Sequence, residues 1–482
     1  MKNSSLLTLG SAKDIGAAIN AGELTSLEAT EWYLSRIDRL NQGENGINAV
    51  RSVSPLAREE AKRADLELAQ GRSRGPLHGV PYLIKDNAFT TDGCFASAGS
   101  CALAEFLPPY EATIVTRLRE AGAVLLGKTN LTEFADFVSD TMPSEYSGAG
   151  GRVRNPLGTR YDRGQGSSIG SAAAVSAGLC AFAIGSETQN SIQTPAVHSS
   201  IVGFKPTVGR VSRHGFIPLV PSQDSPGPLS RTVGDARLIY EAIAGADMKD
   251  TVTLEENAAE TERGALTPLT RLRIGIPRRA VADNVITESN QEIFTRLLDA
   301  LSQAGATIVD PCDLPSAEQL KDVRSSVFRV EFRESLNSLL QTLAPCGMTS
   351  VKDIIAWNEM HPENIPYGQS LLEASDSAPD LHSEQYIRDR RHDRVLSLDA
   401  GIVAALKSGQ ADILLSPMSA AAKCTGKAGA PVVAVPAGKD ADGLAFGITL
   451  YAAPGQDNKV LQAAEWIEEV VGSRIMPILN EL

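Results

Sequence analysis

The stretch GQGSSIGSAAAVSAGLCAFAIGSETQNSIQTPAVHSSIVGFKPTVG, residues Gly164 to Gly209, is the part of the chain that says most about its fold. Two loops of small residues, Gly164–Ser171 and Gly185–Pro195, flank a run of alanine, serine, glycine and aliphatic side chains. This run predicts a helix followed by a strand, both packed closely against their neighbours because small residues let backbones approach. Taken alone, the loops are equally typical of tight helix packing with hydroxyls that cap helix N-termini.

The same order of a helix and then a short apolar strand recurs on both sides of this stretch. Ala112–Ala121 precedes the strand Ala123–Leu126, and Asn290–Ala304 precedes Thr307–Val309. Further strand-like runs are Leu272–Ile276, Ile413–Leu415, Val432–Val435 and Phe446–Leu450. Helices that alternate with fully apolar strands predict an α/β fold, with a large mixed, mostly parallel sheet covered by helices on both faces.

The 482 residues are interpreted as one domain, 1–482, with two helical additions. Residues 1–65 are predicted to be an N-terminal helical segment, in which Thr25 and Glu28 have the spacing of a capping box. Residues 316–408 have helical periodicity and many charges, so we expect a helical insert that shapes a substrate pocket.

The composition argues against several classes of protein. A net charge of −13 without a basic run disfavours nucleic acid or an anionic membrane as partner. The six cysteines form no CxxC pair, and the histidines lack ligand spacing, so no metal site is expected. Because no apolar run approaches the ~18 residues of a membrane helix, the sequence predicts a reduced, cytoplasmic protein.

A lysine at the end of an apolar run is the next unusual feature. In GVPYLIKDN, residues Gly79–Asn87, Lys85 ends a strand-like segment that would normally be buried. Burial lowers the pKa of a lysine and can make it a base. A lysine that snorkels from a strand end is the structural alternative.

Together these segments resemble the amidase signature family. The resemblance rests on the Lys85 segment, the SSxGSAAAVSAG block from Ser167, the SIxxPA…VGFKPTxGRVSRxG run from Ser191, and GKTNLTEF from Gly127. It extends over nearly the whole chain, and Ser222–Ala236 is similar to the corresponding part of bacterial stand-alone amidases.

The resemblance implies an enzyme that hydrolyses a carboxamide or linear amide through a Ser–Ser–Lys triad and an acyl-enzyme, without a cofactor. Ser191 falls on the nucleophile, and Ser167 on the bridging serine whose preceding peptide bond is cis. Lys85 falls on the base. A serine hydroxyl needs such a base. Backbone N–H groups of the turn Thr188–Ser191 are then expected to bind the oxyanion.

The chain departs from the family pattern around the nucleophile. Gln189 and Asn190 replace two glycines, Gln193 replaces an arginine, and Ile169 replaces a glycine. Asn tolerates unusual backbone angles, so the turn can survive the change. Our hypothesis is that Gln189 or Asn190 contacts a polar part of the substrate.

Other patterns suggest different chemistry. GAVLLGKT, Gly122–Thr129, matches the P-loop expression, but its variable residues are strand-like. GSSIG, Gly166–Gly170, matches a nucleophile elbow with Ser168 as nucleophile, for which His392 is the nominal base.

Two residues near the nucleophile have plain structural readings. Glu187 is expected to orient the nucleophile loop through hydrogen bonds, and His198 is expected to be a packed or capping side chain rather than a base.

Two further functions stay open at this stage. One is the glutaminase component of a tRNA-dependent amidotransferase (its A-type chain), which releases ammonia from glutamine. The other is a non-catalytic binding protein on the same scaffold. The expected partner is a small-molecule amide, and a homodimer is the base-rate expectation for assembly.

Overall fold

The structure is a computed structural model that describes residues 3–43, 45–158, 166–258, 269–472 and 474–477. Thirteen strands are present in the described part: β1 Val50–Val53, β2 Pro81–Lys85, β3 Val124–Thr129, β4 Tyr146–Ser147, β5 Gly151–Arg152, β6 Phe182–Glu187, β7 Val202–Lys205, β8 Ser225–Ser230, β9 Arg273–Gly275, β10 Thr307–Val309, β11 Ile413–Pro417, β12 Val432–Lys439 and β13 Ala445–Tyr451.

The α-helices are α1 Ser4–Leu9, α2 Ala12–Asn20, α3 Ser26–Leu40, α4 Ala57–Ala69, α5 Thr113–Glu120, α6 Ile169–Ser176, α7 Gln193–His198, α8 Val233–Ile243, α9 Val252–Ala258, α10 Glu288–Gln303, α11 Ala317–Asp322, α12 Val327–Leu343, α13 Val351–Met360, α14 Ser370–Asp376, α15 Glu384–Arg394, α16 Ala404–Gly409, α17 Ala422–Ala428 and α18 Asp457–Val471.

A π-helix, Val395–Val403, joins α15 to α16. None of the helices within the described ranges is both long and apolar enough to cross a membrane.

Eleven strands form one sheet in the order β1-β3-β2-β6-β8-β7-β12-β13-β11-β9-β10. Every residue of β2, β3, β8, β11 and β13 is buried, so helices and loops cover both faces. The predicted mixed, helix-covered sheet is thereby confirmed.

The parallel pairs occur in two groups, β3-β2-β6 and β11-β9-β10. The strands between these groups pair antiparallel, so the expectation of mostly parallel pairing holds only within the two groups. The hairpin β12–β13 shows why: residues 440–444 join its strands, too few for the crossover that parallel neighbours need.

Two predicted helical regions have different outcomes. In residues 1–65 the capping box of Thr25 and Glu28 starts α3 as predicted, but Val50–Val53 is an edge strand of the sheet. Between β10 and β11 the described elements are all helical, from Ala317 to Gly409. The sequence does not predict β8, because this strand contains Pro226 and Pro228, which are unusual in an inner strand.

The sheet brings together the segments that the sequence singles out. β2 ends at Lys85 and its parallel neighbour β6 ends at Glu187, so both carboxyl ends lie at the same edge of the sheet. Helix α6 begins directly after Ser168, and the turn after β6 leads into α7. Crevices at the carboxyl ends of parallel strands are the usual ligand sites of open α/β sheets.

The end of α6 is fixed by a buried arginine. Arg36 on α3 donates from Nε to the Gly178 carbonyl at 2.9 Å and from Nη2 to the Ala177 carbonyl at 2.7 Å. These carbonyls lie at the C-terminus of the helix that begins after Ser168, so Arg36 holds that helix against the N-terminal segment.

We therefore expect Arg36→Met to lower the free energy of unfolding by about 2–3 kcal/mol, because two buried carbonyls lose a charged donor. Urea denaturation of the purified protein checks this. Arg39→Met is the matched control, since Arg39 lies exposed on the same helix. Equal losses in the two variants would contradict the assignment.

Candidate active site

Lys85 is fully buried at the end of β2. Its Nζ donates to Ser167 Oγ at 2.7 Å, and to the carbonyl and Oγ of Ser186, both at 3.2 Å. Burial lowers the pKa of Lys85 to about 7, against the opposing effects of Asp224, Glu187 and Asp136. The ammonium form is therefore easily lost near neutral pH, which is what a general base requires.

Ser167 lies between this lysine and the backbone of a neighbouring loop. Its carbonyl accepts the N–H of Thr132 at 3.1 Å, and the Gly166–Ser167 peptide bond is cis, as the resemblance implies. A Cβ on Gly166 would lie 2.1 Å from Thr132 Oγ1, so only glycine fits there. Glycine thus allows the loop to place Ser167 on Lys85.

Ser191 lies beside the first serine pair. Its carbonyl accepts the N–H of Ser168 at 3.1 Å, and its side chain is buried. The structure thus brings the three predicted catalytic residues, Lys85, Ser167 and Ser191, to one end of the β2–β6 strand pair, although they are distant from one another in the sequence.

Glu187 organises the start of α7. One carboxylate oxygen accepts the N–H of Ile192 at 2.6 Å and of Gln193 at 2.8 Å, and the other accepts Gln193 Nε2 at 2.7 Å. Burial raises the pKa of Glu187, while the nearby Lys205 ammonium and these bonds lower it. The loop-orienting role expected for Glu187 matches these contacts.

The turn residues before Ser191 have different surroundings. Thr188 Oγ1 donates to Asp224 Oδ1 at 2.5 Å, and Gln189 Nε2 donates to Gln223 Oε1 at 3.1 Å. Gln189 also packs against Gly426, where a Cβ would lie 2.6 Å from Gln189 Cγ. Asn190 is half-buried. No described residue accepts a hydrogen bond from the N–H groups of Gln189, Asn190 or Ser191.

A cavity of about 220 Å³ opens next to these groups. Its inner end contains Asn87, Ser186 and Thr188, and its wall is largely apolar: Phe216, Ile217, Pro218, Leu219, Pro221 and Pro226. Gln189 and Asn190 are not among the residues that line it, so their contact with substrate stays a prediction. Within the described ranges, no three His, Cys, Asp or Glu side chains are placed to hold a metal ion.

Comparison with known proteins agrees with this geometry. The Amidase family profile matches residues 28–428. A peptide amidase from Stenotrophomonas maltophilia superposes with a TM-score of 0.90 at 36% identity, covering 98% of this chain and 98% of that one. This chain belongs to the amidase signature family. It is accordingly an amidase, a hydrolase of amide C–N bonds.

Two further relatives span nearly the whole amidase. An amidase family protein from Bacillus anthracis has a TM-score of 0.90 at 30% identity and covers 99% of this chain and 94% of its own. The A-type chain of the mitochondrial glutamyl-tRNA(Gln) amidotransferase of Ornithorhynchus anatinus is 30% identical over 95% of this chain and 94% of its own length.

The competing patterns have structural roles in the amidase. Ser168 Oγ donates to the carbonyl of Ser186 at 3.0 Å and accepts its N–H at 3.2 Å, while His392 is exposed on α15. The P-loop match is β3, a fully buried strand whose Lys128 donates to the carbonyl of Ala88. His198 is buried, which lowers its pKa to about 4, in line with a packed side chain.

Several residues of the site could not be named from the sequence. Asp224 contacts the nucleophile turn from a loop 36 positions away, and Asn87 donates to Ser186 Oγ at 3.0 Å. Asp136 is one of the charges that act on Lys85. The segment around Asp224 is similar to stand-alone amidases, but nothing in its spacing from Ser191 predicts the contact.

Glu187 gives a sharp test of the site. In Glu187→Gln an amide group would face N–H donors that now meet carboxylate oxygens, so the turn that carries Ser191 should loosen. We expect labelling of Ser191 by a fluorophosphonate to slow at least about ten-fold. The control is Glu468→Gln, which removes a buried acceptor of the Val233 N–H on α18. Equal slowing in both variants would indicate a general loss of stability instead.

Proposed function

We propose that the amidase hydrolyses a linear carboxamide through an acyl-enzyme, with Ser191 as nucleophile, Ser167 as proton relay and Lys85 as base. The observation that carries this assignment is the 2.7 Å contact between Lys85 Nζ and Ser167 Oγ, at a buried lysine whose pKa is lowered to about 7. A base poised near the working pH is most effective in proton transfer.

The reaction then follows from the order of the three groups. Neutral Lys85 takes the proton of Ser167 as Ser167 takes that of Ser191, and Ser191 Oγ bonds to the carbonyl carbon. The returning proton reaches the substrate nitrogen as the C–N bond breaks, which releases ammonia or an amine. Water then attacks the ester, the carboxylic acid leaves, and the Ser191 hydroxyl is restored.

The oxyanion is assigned to backbone N–H groups of the turn Thr188–Ser191. Support comes from the free N–H groups of Gln189, Asn190 and Ser191 among the described residues, and from two contacts that hold the turn in place. These contacts are the Thr188 hydroxyl on Asp224 and the Gln193 side chain on Glu187. Preorganised donors of this kind typically lower a barrier by ~3–4 kcal/mol each.

The helical insert 316–408 is proposed to shape the substrate pocket. Its helix α12 packs Phe332 edge-on against Phe137, with ring centroids 5.2 Å apart, next to the segment that contributes Ala135 to the cavity. Glu331 on the same helix accepts the N–H of Ser222 at 2.9 Å, close to the cavity residues Pro221 and Asp224. The insert thus contacts both sides of the cavity mouth.

The resemblance to a peptide amidase supports an amide of apolar acyl character, because the cavity wall is mainly proline, leucine, isoleucine and phenylalanine. The resemblance to the A-type chain of an amidotransferase supports glutaminase activity as a second candidate. Glutamine hydrolysis that appears only when the other amidotransferase components are added would favour that candidate. A cytoplasmic location and a homodimer remain predictions.

The catalytic assignment predicts the site of covalent labelling. A fluorophosphonate probe should form one adduct, on Ser191, which peptide mapping by mass spectrometry locates. Lys85→Ala should slow this labelling by about 10²- to 10⁴-fold. Ser168→Ala is the control that keeps the adduct, because the Ser168 hydroxyl bonds to the backbone of Ser186. An adduct on Ser168 would refute the assignment.

The pKa of Lys85 predicts the pH dependence. Since the pKa is lowered to about 7 and the base must be neutral, kcat/KM on a neutral amide should rise with pH through about 7 and then level off. Initial rates at roughly pH 5 to 9 measure this. Lys85→Arg, which stays protonated, should be inactive throughout. A profile that falls as pH rises through 7 would exclude Lys85 as the base.

A further inference from the structure

A bend at the inner end of the cavity places one carboxyl group near Lys85. Phe134, Ala135 and Asp136 all have left-handed backbone angles, with φ of 44°, 57° and 75°. The segment is held by Thr132, whose N–H donates to the Ser167 carbonyl at 3.1 Å. Ala135 lines the cavity, and Asp136 follows it. A run of left-handed non-glycine residues is rare and clusters at functional sites.

The carboxylate of Asp136 is only partly satisfied. One oxygen, Oδ2, accepts the hydroxyl of Ser144 at 3.0 Å, and no described basic residue forms an ion pair with it. Burial and the neighbouring Glu145 raise the pKa of Asp136 to about 6, while Ser144 and Lys85 lower it. Glu145 is itself paired with Arg152 at 3.1 Å. Asp136 is therefore ionised at neutral pH, and within the described part of the chain the cation that acts on it is the catalytic lysine.

A second acceptor lies in the cavity. Asn87 is 5% exposed and lines the cavity two positions after Lys85. Its Nδ2 donates to Ser186 Oγ at 3.0 Å, whereas its Oδ1 is buried and accepts no hydrogen bond from the described residues. A buried carbonyl oxygen without a donor is unfavourable, so a ligand that supplies an N–H group would be stabilised there.

The other charges of the cavity are engaged or lie at the rim. Arg213 binds Asp250 through Nε at 2.8 Å and through Nη2. Asp224 accepts two backbone N–H groups and the hydroxyl of Thr188. Lys249 is exposed, so solvent screens its charge. Near the reaction centre the unsatisfied groups of the described residues are therefore acceptors, and one of them is anionic.

We propose that the amidase is selective for amino-acid amides with a free α-amino group, whose ammonium is bound by the Asp136 carboxylate and the Asn87 carbonyl. The amino-acid side chain lies against the apolar wall formed by Phe216 and Leu219. This assignment rests on the proposed function and names its substrate class. An ammonium fits because it offers several N–H donors and a positive charge next to the scissile bond.

The protonation states are compatible. An α-amino group has a pKa of roughly 7.7–8.0, so it is still largely charged at the pH where Lys85 becomes neutral. The preference for the charged substrate should thus hold between the pKa of Asp136, about 6, and that of the substrate amine. Lys85 titrates in the same range, but it affects all amides alike and cancels in a ratio of two substrates.

The test compares three amides on one carbon skeleton at a pH of about 7.5, between the pKa of Lys85 and that of the amine. They are leucinamide, 4-methylpentanamide, which lacks the amino group, and the analogue with a carboxylate in place of the amino group. We expect kcat/KM to be about 10- to 100-fold higher for leucinamide than for the neutral amide, and lowest for the carboxylate. A neutral amide that is hydrolysed as well as leucinamide overturns the proposal.

Two other results separate this proposal from the proposed function. A preference for the carboxylate would assign recognition to Lys249 and overturn the proposal. If none of the three amides reacts but Ser191 still labels with a fluorophosphonate, the substrate class is wrong while the catalytic residues stand. If labelling fails as well, the proposed function itself fails.

The variant Asp136→Asn tests the residue directly. Asn adopts left-handed angles readily, so the bend should be kept. The ratio of kcat/KM for leucinamide to that for 4-methylpentanamide should fall towards one. In the wild type this ratio should also fall as pH drops through about 6, and that dependence should vanish in the variant.

The matched control is Asp140→Asn, which removes an exposed charge from the same segment and should leave the ratio unchanged. A purely structural role of Asp136 would lower both rates equally and keep the ratio. An unchanged ratio in Asp136→Asn therefore overturns the proposal. Asn87→Leu should lower the ratio further, because it removes the second acceptor.

Discussion

The removal of the Lys85 side chain from water is the constraint around which the active site is organised. A lysine that is fully buried, with no ion pair among the described residues, loses much of the stability of its charged form, and its pKa falls to about 7. The chain buries two other lysines, Lys128 and Lys205, in neighbouring parts of the sheet, and each donates to a backbone carbonyl. Lys85 also donates to a serine hydroxyl, so its neutral form can take a proton from that serine.

This burial depends on the strands that flank β2. β3 and β6 run parallel to it on either side, and all of their residues but one are buried. The parallel arrangement also brings the end of β6 beside Lys85, and with it Glu187 and the nucleophile turn. The antiparallel part of the sheet begins at β8, whose start leads from Asp224, the residue that holds Thr188. Base, nucleophile and turn are thus positioned by one set of adjacent strands.

Several carboxyl groups surround the catalytic lysine, and their different partners give them different roles. Glu187 and Asp224 accept hydrogen bonds from several donors of the protein and fix the turn. The replacement of an arginine by Gln193 leaves Glu187 with a neutral hydrogen-bond donor and with Lys205 as the nearby cation. Asp136 has one hydroxyl donor among the described residues, so it is the carboxylate with capacity for a ligand. Charge that the fold leaves unpaired is available for recognition.

The sequence by itself determined the family, the mixed helix-covered sheet, most strands and the three residues assigned to catalysis. These features are local: apolar runs, caps and the motifs around Lys85, Ser167 and Ser191 are written in consecutive residues. Only the tertiary structure decided the antiparallel pairing at the middle of the sheet, the strands β1 and β8, and the contacts of Asp224, Asn87 and Asp136. Pairing direction and side-chain proximity depend on distant segments, and no local pattern encodes which of them meet.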